Sequence, residues 1–228
     1  MTTQTQTSLQ LDPFTLKVLS NFSSINNGIV IKAGSEIRTM TESKTVLAEV
    51  IVPDTFPVDF AIYDLRQMLN FVSSLFTNPT LEFSDKYMTL ASGNDLTKIF
   101  YCNADLISTP SKRITMPSED IVFELSQDTI HKITKSSSIL GADDLLFTSN
   151  GSSVDISVLD KTNSSTNTWS TTTPAKFTDD FSVYLKISNL KMLDGDYSVT
   201  ISKKGITRFK HMRNDLKYFI ATEADSKI

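Results

Sequence analysis

The order of predicted secondary-structure elements occurs twice in this sequence, and that duplication limits the possible folds. A helix at Leu11–Asn26 opens the first half and one at Ser126–Leu140 opens the second. Each is followed by apolar strands, a short strand leading into a second helical segment, and a closing hairpin. Matching landmarks lie roughly 120 residues apart, which indicates a duplicated domain rather than a solenoid repeat. The polar, proline-bearing stretch Leu106–Asp120 separates the halves.

The pattern therefore predicts an α+β fold of two similar domains, 1–110 and 111–228, each an antiparallel sheet faced by two helices. In the second domain, Ser126 is the expected N-cap of its helix. Helical spacing places Ile130, Ile133, Ser137 and Leu140 on the core side, opposite Asp128, His131, Lys132 and Lys135. We also expect a helix capped by Asp64, a short helical segment at Ser188–Leu193 and a break in the chain at Pro53–Pro57.

Charge and composition exclude several classes of protein. A net charge of -4 argues against a surface that is basic throughout and grips nucleic acid everywhere, although a local basic face remains possible. The single cysteine, Cys102, cannot form an internal disulfide, which is typical of a reducing compartment. Apolar runs are all shorter than the roughly 20 residues that cross a bilayer. The uncharged N-terminal ten residues match neither a signal peptide nor a transit peptide.

Catalytic and metal-binding motifs are not recognisable in the sequence. His131 and His211 belong to no metal-ligand pattern, and the acidic pairs Asp143–Asp144 and Asp194–Asp196 fall where turns require Asp and Gly. Cys102 has no basic neighbour in sequence to activate it. We therefore expect no enzyme activity, no cofactor and no metal. The alternative is an enzyme whose site is assembled from scattered Ser, Asp and Lys residues.

Four stretches carry a resemblance to a known family. They are Leu16–Gly34 (LKVLSNFSSINNGIVIKAG), Val58–Leu65 (VDFAIYDL), Asn189–Tyr197 (NLKMLDGDY) and Tyr218–Ser226 (YFIATEADS). In order and spacing they resemble the sliding clamps of T-even type bacteriophages over nearly the whole chain. The resemblance implies a homotrimeric ring around double-stranded DNA, with sheets outside and helices lining the hole. It also implies a DNA polymerase processivity factor, loaded by an ATP-dependent clamp loader in the cytoplasm of the infected bacterial host. Clamps of similar phages serve late transcription too, so transcription factors are further candidate partners.

If the helices line the hole, a set of cations on their polar faces is expected to face DNA phosphates. These are Lys17, Arg66, Lys132, Lys135 and Lys191. Their expected role is steering and weak screening, because long-lived phosphate contacts would slow sliding. The alternative is that the same charges are ordinary solvated side chains, with Lys132 paired to Asp128 at i, i+4.

The resemblance also implies two protein-binding sites. The ring is expected to close by antiparallel pairing of Thr97–Asn103 with Thr168–Thr173 of the next subunit, through Thr97, Lys98, Ile99, Phe100, Tyr101, Trp169 and Thr171. The second segment could instead be a flexible Ser/Thr-rich loop. Peptides of partner proteins are expected beside Ile107, Ile114, Met116, Tyr218, Phe219 and Ile220, some of which must belong to the core. The competing hypothesis for the chain is a phage structural or adaptor protein that binds only proteins.

Overall fold

A computed structural model describes residues 8–149, 151, 153–175 and 180–228 of the chain. The chain divides into two compact units, of which one ends at Lys112 and the other begins at Arg113. Within the described residues, no helix is long and apolar enough to cross a membrane.

The described part of the first unit, from Ser8 onward, contains eight strands and two α-helices. In chain order these are β1 (Ser8–Gln10), α1 (Pro13–Ile25), β2 (Ile29–Ile31), β3 (Gly34–Met40), β4 (Val46–Phe56), β5 (Phe60–Ile62), α2 (Leu65–Asn70), β6 (Thr80–Phe83), β7 (Tyr87–Ser92) and β8 (Asp95–Phe100). Helix α2 continues into one π-helical turn, Phe71–Leu75, and a 3-10 turn at Ala104–Leu106 follows β8.

The second unit contains eight strands and one α-helix among its described residues. They are β9 (Ile121–Leu125), α3 (Gln127–Leu140), β10 (Asp144–Ser149), β11 (Ser153–Leu159), β12 (Trp169–Pro174), β13 (Ser182–Lys186), β14 (Tyr197–Ser202), β15 (Ile206–His211) and β16 (Leu216–Ala221). A 3-10 turn at Ile187–Asn189 follows β13.

Strand pairing is the same in the two units. In the first, antiparallel strands run in the orders β1-β6-β7-β8 and β5-β2-β3-β4. In the second, the orders are β9-β14-β15-β16 and β13-β10-β11-β12. Each strand of the first unit therefore has an equivalent eight strands later. Helix α1 packs on β3 and β4, and α3 packs on β11, so the main helices are also equivalent.

Aromatic contacts join the two sheets within each unit. The rings of Phe60 on β5 and Phe83 on β6 lie 5.6 Å apart between centroids. In the second unit, Phe123 on β9 meets Phe147 on β10 edge to face at 5.2 Å. Such pairs stabilise beyond the area that they bury. Both cores are therefore closed by large side chains contributed from the two sheets.

Two expectations about local structure are wrong. Strand β4 runs through Pro53 to Phe56, because its ladder with β3 is interrupted by a register shift there and the missing proline N–H is not needed. The predicted helical segment Ser188–Leu193 is only the 3-10 turn Ile187–Asn189. Two tyrosine hydroxyls hold the backbone of Leu193: that of Tyr218 accepts its N–H at 3.1 Å, and that of Tyr197 donates to its carbonyl at 2.5 Å.

Candidate nucleic-acid interface

Helix α3 is amphipathic, as its sequence predicts. The Ser126 hydroxyl accepts the N–H of Thr129 at 3.2 Å and caps the first turn. Gly141 ends the helix in the left-handed conformation, with a φ of 65°. Ile133 is its only fully buried side chain, whereas Ile130, Ser137 and Leu140 are half-buried. The helix is therefore attached by one fully buried and two half-buried apolar side chains, and its opposite face carries charged residues.

Three of the four polar groups on that exposed face already have a partner within the chain. Lys132 Nζ lies 2.7 Å from Asp128 Oδ2, the i, i+4 pair expected from the sequence. His131 Nε2 lies 2.9 Å from Asp194 Oδ1. Lys135 is exposed and makes no ion pair with any residue that the structure describes. Lys135 is consequently the cation of α3 most available to an external anion.

A turn at Asp194–Gly195–Asp196 anchors the first half of α3. Asp196 Oδ1 accepts the N–H of Gln127 at 2.9 Å, which satisfies one of the free donors at the helix start. Gly195 has a φ of 154°, and a Cβ there would lie 2.2 Å from Nε2 of His211. Glycine is therefore needed at this position for both its backbone conformation and its lack of a side chain.

His211 supports the same turn from below. It is buried, and its Nδ1 accepts the N–H groups of Arg213 and Asn214 at 3.0 and 3.2 Å. The proton is thereby assigned to Nε2, which lies 3.3 Å from the carbonyl oxygen of Asp194. Sequence reasoning assigned Asp194 and Asp196 to turn chemistry and overlooked this anchor. The Asp-Gly-Asp pattern can be recognised in the sequence, but its contact with His211, 15 residues after Asp196, cannot.

In the first unit, the two predicted cations lie on adjacent helices. Lys17 is on the exposed side of α1 and makes no ion pair within the described chain. Arg66 on α2 is exposed but donates from Nε to the carbonyl oxygen of Ser23 on α1, at 3.2 Å. Arg66 therefore helps to join the two helices, while Lys17 is free to contact an external anion.

Lys191 differs from the other four predicted cations because it is not on a helix. It is half-buried and follows the 3-10 turn, and its backbone N–H donates to Asn189 at 2.8 Å. The 3-10 turn itself packs on α3. The expectation that Lys191 projects from a helical face is thus wrong, for the reason given above for Ser188–Leu193.

Strands β8 and β12 each lie at the end of a four-stranded sheet, so each has one edge without a partner strand in that sheet. On β8, Leu96 and Phe100 are 69% and 67% exposed, large values for apolar side chains. Lys98 on the same face lies over the ring of Tyr87, with Nζ 4.7 Å from its centroid. Thr97 is half-buried, as are Trp169 and Thr171 on β12.

Two of the predicted interface residues face the interior instead. Ile99 is buried. Tyr101 lies beyond the end of β8 and stacks on Phe60 at 5.5 Å. The strand stops before Tyr101 because the next residue, Cys102, donates its N–H to Ala61 on β5, at 3.0 Å. The side chain of Ile99 therefore belongs to the core in this conformation, and one face of the Tyr101 ring is covered by Phe60.

The residues expected beside a partner peptide differ in burial. Ile107, Tyr218, Phe219 and Ile220 are buried, and the side chain of Ile107 fills the space over Gly28. Ile114 and Met116 are half-buried. All three candidates on the C-terminal strand are therefore buried within the described chain.

Groups suited to catalysis or metal binding are sparse. Across the described ranges, no cluster of three or more His, Cys, Asp or Glu side chains could hold a metal ion. Burial raises the pKa of the Cys102 thiol, which disfavours the reactive thiolate.

Comparison with known proteins identifies the family. Residues 11–116 match the family described as DNA polymerase processivity factor, and residues 122–224 match the gp45 sliding clamp, C terminal. The sliding clamp of Vibrio phage KVP40 is 34% identical over 95% of this chain and 100% of its own length. The chain belongs to the sliding clamp family. Its function is accordingly that of a DNA polymerase processivity factor in phage DNA replication.

Solved structures show the same clamp fold. The proliferating cellular nuclear antigen (PCNA) of Entamoeba histolytica superposes with a TM-score of 0.68 at 16% identity, over 92% of this chain and 94% of that one. The PCNA of A. fulgidus, solved with the C-terminal region of FEN-1 bound, gives 0.70 at 13% identity, over 96% and 99%. This sliding clamp therefore has the clamp fold over nearly the whole of its chain.

Proposed function

We propose that three copies of this chain close into a ring around double-stranded DNA and tether the replicative DNA polymerase to it. The observation that carries the proposal is the position of two uncommitted cations. Lys17 and Lys135 lie on the exposed faces of α1 and α3, the equivalent helices of the two units. A threefold ring would repeat each of them three times around the hole.

The proposed cations act by steering rather than by gripping. Each lasting phosphate contact would add to the counterion-release term and slow movement along DNA. In this sliding clamp, Lys132 and Arg66 already have internal partners at 2.7 and 3.2 Å, which weakens their pull on phosphates. The net charge of -4 per chain leaves the remaining surface acidic overall and discourages DNA from binding there.

We infer that the ring closes by pairing β8 of one chain with β12 of the next. Both are edge strands, and both are six residues long. The free edge of β8 presents unpaired backbone N–H and C=O groups, and its exposed Leu96 and Phe100 add apolar surface that a partner strand would bury. Lys98 and Trp169 would add side-chain contacts, whereas Ile99 and Tyr101 would contribute only through the backbone and through the core.

Loading and partner binding belong to the same proposal. An ATP-dependent clamp loader would open and close the ring in the host cytoplasm, and the sliding clamp itself would catalyse no reaction. Polymerase peptides, and those of late-transcription factors, would contact Ile114 and Met116, since these two of the six candidates are half-buried rather than buried. The bound FEN-1 segment in A. fulgidus PCNA supports peptide binding as a mode available to this fold.

The proposal is tested by reversing the two uncommitted charges in the variant K17E/K135E. Processivity of the phage polymerase on a loaded circular template should fall, because six repulsive groups per ring would face the phosphates. The matched control is K86E/K210E, which makes the same change in net charge at exposed residues on turns and strands. Sedimentation equilibrium of each variant should give the mass of a trimer at high concentration.

Unchanged processivity of K17E/K135E, with a normal fold and trimer, would contradict the DNA-facing assignment. It would favour the competing hypothesis, in which the clamp domains serve only to bind proteins. A strictly monomeric mass of the unmodified protein at every concentration would contradict ring closure.

A further inference from the structure

A cavity in the first unit is not used by the proposed function. Its volume is about 450 Å³, within the range of small-molecule sites. Apolar walls come from Leu11, Leu16, Pro53 and Pro79. Two carboxylates, of Asp12 and Asp54, also line it. A few polar groups set among apolar walls are the usual composition of a ligand pocket.

Asp54 is placed in this cavity by the part of β4 that the sequence did not predict. It is only 9% exposed, although its side chain is a carboxyl group. Its Oδ2 accepts the backbone N–H of Asp12 at 2.9 Å. Its Oδ1 has no hydrogen-bond partner within the described chain, yet it is not sealed from solvent. The anchoring of Asp12 thus accounts for one oxygen of Asp54, and the other is a solvent-accessible acceptor without a protein partner on a residue that lines the cavity.

Asp12 brings a second negative charge to the same place. Its Oδ1 accepts the N–H of Phe14 at 2.7 Å, as the N-cap of α1. Its Oδ2 has no partner in the part of the chain that the structure describes. The helix start supplies the equivalent of about half a positive charge, which offsets only part of two carboxylates. No described Lys or Arg pairs with either of them.

A charge that is mostly buried is costly unless an opposite charge accompanies it. The chemistry of the walls restricts which cation could fill this role. Water would have to supply most of the ligands of a divalent metal ion here, because the described chain has no group of three or more His, Cys, Asp or Glu side chains that could hold one. Hydrocarbon walls instead match the methylene chain of an organic cation, whose charged head would reach the two free oxygens.

We propose that the pocket between Asp12 and Asp54 binds an alkylguanidinium or alkylammonium group. The head of the ligand donates hydrogen bonds to Oδ1 of Asp54 and Oδ2 of Asp12, and its chain lies against Leu16 and Pro79. The same chemistry can come from an arginine side chain of a partner protein or from a free polyamine, and these two sources are separable by experiment.

The test is titration of the whole protein, followed by methyl NMR signals of Leu16, Val72 and Leu81, which line the cavity. The probes are N-acetyl-arginine N-methylamide and spermidine, used separately. We expect saturable shifts with a dissociation constant on the order of 1 mM. Saturation by the arginine probe alone identifies a protein side chain as the source, and saturation by spermidine alone identifies a polyamine.

Variants of the two aspartates, together with a neutral probe, test whether binding depends on charge. Asp54→Asn should weaken binding about tenfold or more, since a charged hydrogen-bond acceptor is lost. Asp12→Asn should act in the same direction, and it keeps a good N-cap if the first variant folds poorly. The matched control is Asp64→Asn, which alters the N-cap of α2 outside the pocket and should leave binding unchanged.

Three outcomes would overturn the proposal. The first is equal binding of the neutral analogue N-acetyl-citrulline N-methylamide, and the second is the same shifts with Mg²⁺ alone. The third is the absence of saturable shifts with either cation. Polymerase processivity is not part of this test, so its result is independent of the ring.

Discussion

Helices α1 and α3 occupy equivalent positions in the two units but are held by different forces. Helix α1 buries six of its 13 residues, and Val18 and Phe22 are completely shielded from solvent. Helix α3 buries only Ile133 among its 14 residues. Polar contacts, here called the polar anchors, add to the attachment of α3. Asp196 accepts the N–H of Gln127, Asp194 contacts His131, and the Ser137 hydroxyl donates to the carbonyl of Ala142.

The comparison shows that one topology can support a helix in two ways. Burial of a large apolar side chain contributes about 1.5–3 kcal/mol, whereas an exposed ion pair contributes 1 kcal/mol or less, roughly. The second helix is therefore the more weakly attached of the two. In a sliding clamp, the helix that carries more of the proposed DNA-facing charge is thus the one with less apolar attachment.

The largest effect is expected when the core contacts of the two helices are removed in turn. Phe22→Ala should lower the free energy of unfolding by about 3–5 kcal/mol, because a fully buried ring leaves a cavity. Ile133→Ala should lower it by about 2 kcal/mol or more and should release α3 locally, since no other buried side chain holds it. Urea denaturation measures the free energy of unfolding of both variants. Hydrogen exchange across residues 127–140 measures the local release of α3.

Ile139→Ala is the control for this comparison, because Ile139 is 74% exposed on the same helix and should change stability by less than about 0.5 kcal/mol. If hydrogen exchange in α3 stayed slow in Ile133→Ala, the polar anchors alone would be sufficient and the contrast between the helices would be wrong.

Much of this architecture can be predicted from the sequence, because the features that determine it involve residues close together in the chain. The cap at Ser126, the 3.6-residue spacing of α3 and the Asp128–Lys132 pair all depend on neighbours within a few residues. Strand β9 is missing from the predicted elements, because its five residues lie in the short interval between the linker, which ends at Asp120, and the helix predicted from Ser126. The short β1 at Ser8–Gln10 was likewise included in the polar N-terminal segment.

The remaining differences arise from contacts between distant residues. Leu193 is held out of a helix by the hydroxyls of Tyr197 and Tyr218, and the latter is 25 residues away. Among the candidate site residues too, local features could be predicted and those that depend on distant contacts could not. Exposure of Lys17 and Lys135 follows from helical spacing, but the burial of Ile99 depends on which face of β8 meets the core. The cavity beside Asp54 depends on a strand that continues through a proline.

A smaller effect is expected from the turn that anchors α3. Gly195→Ala should cost about 1–3 kcal/mol, because its backbone conformation is one that L side chains rarely adopt and its Cβ would displace His211. The loss should appear as faster hydrogen exchange at the start of α3. Gly93→Ala is the control, since its φ of 60° is also positive but no atom lies within 4 Å of the added Cβ. Equal effects of the two substitutions would show that backbone strain alone is responsible and that contact with His211 is unimportant.

The smallest effect is expected from buried tyrosine hydroxyls, which again differ between the units. In the first unit, the hydroxyl of Tyr101 is buried and makes no hydrogen bond of good geometry within the described chain. Burial raises its pKa to about 12, although the nearby backbone N–H of Ser84 opposes part of that rise. In the second, burial raises the pKa of Tyr197 well above its usual range, but its hydroxyl donates to Leu193. Tyr101→Phe should therefore be neutral or slightly stabilising, whereas Tyr197→Phe should cost about 1 kcal/mol.

The same tyrosines give the protein a predictable alkaline limit. An unfolded tyrosine has a pKa of about 10, so a folded tyrosine with a raised pKa contributes its full stability below pH 10, roughly, and loses it as pH rises further. For Tyr101 the loss should be complete above a pH of about 12. Urea midpoints measured at a series of alkaline pH values should fall less steeply in Tyr101→Phe than in the unmodified protein. Identical slopes would mean that Tyr101 ionises as readily in the folded state as in the unfolded state, and the contrast with Tyr197 would then rest on hydrogen bonding alone.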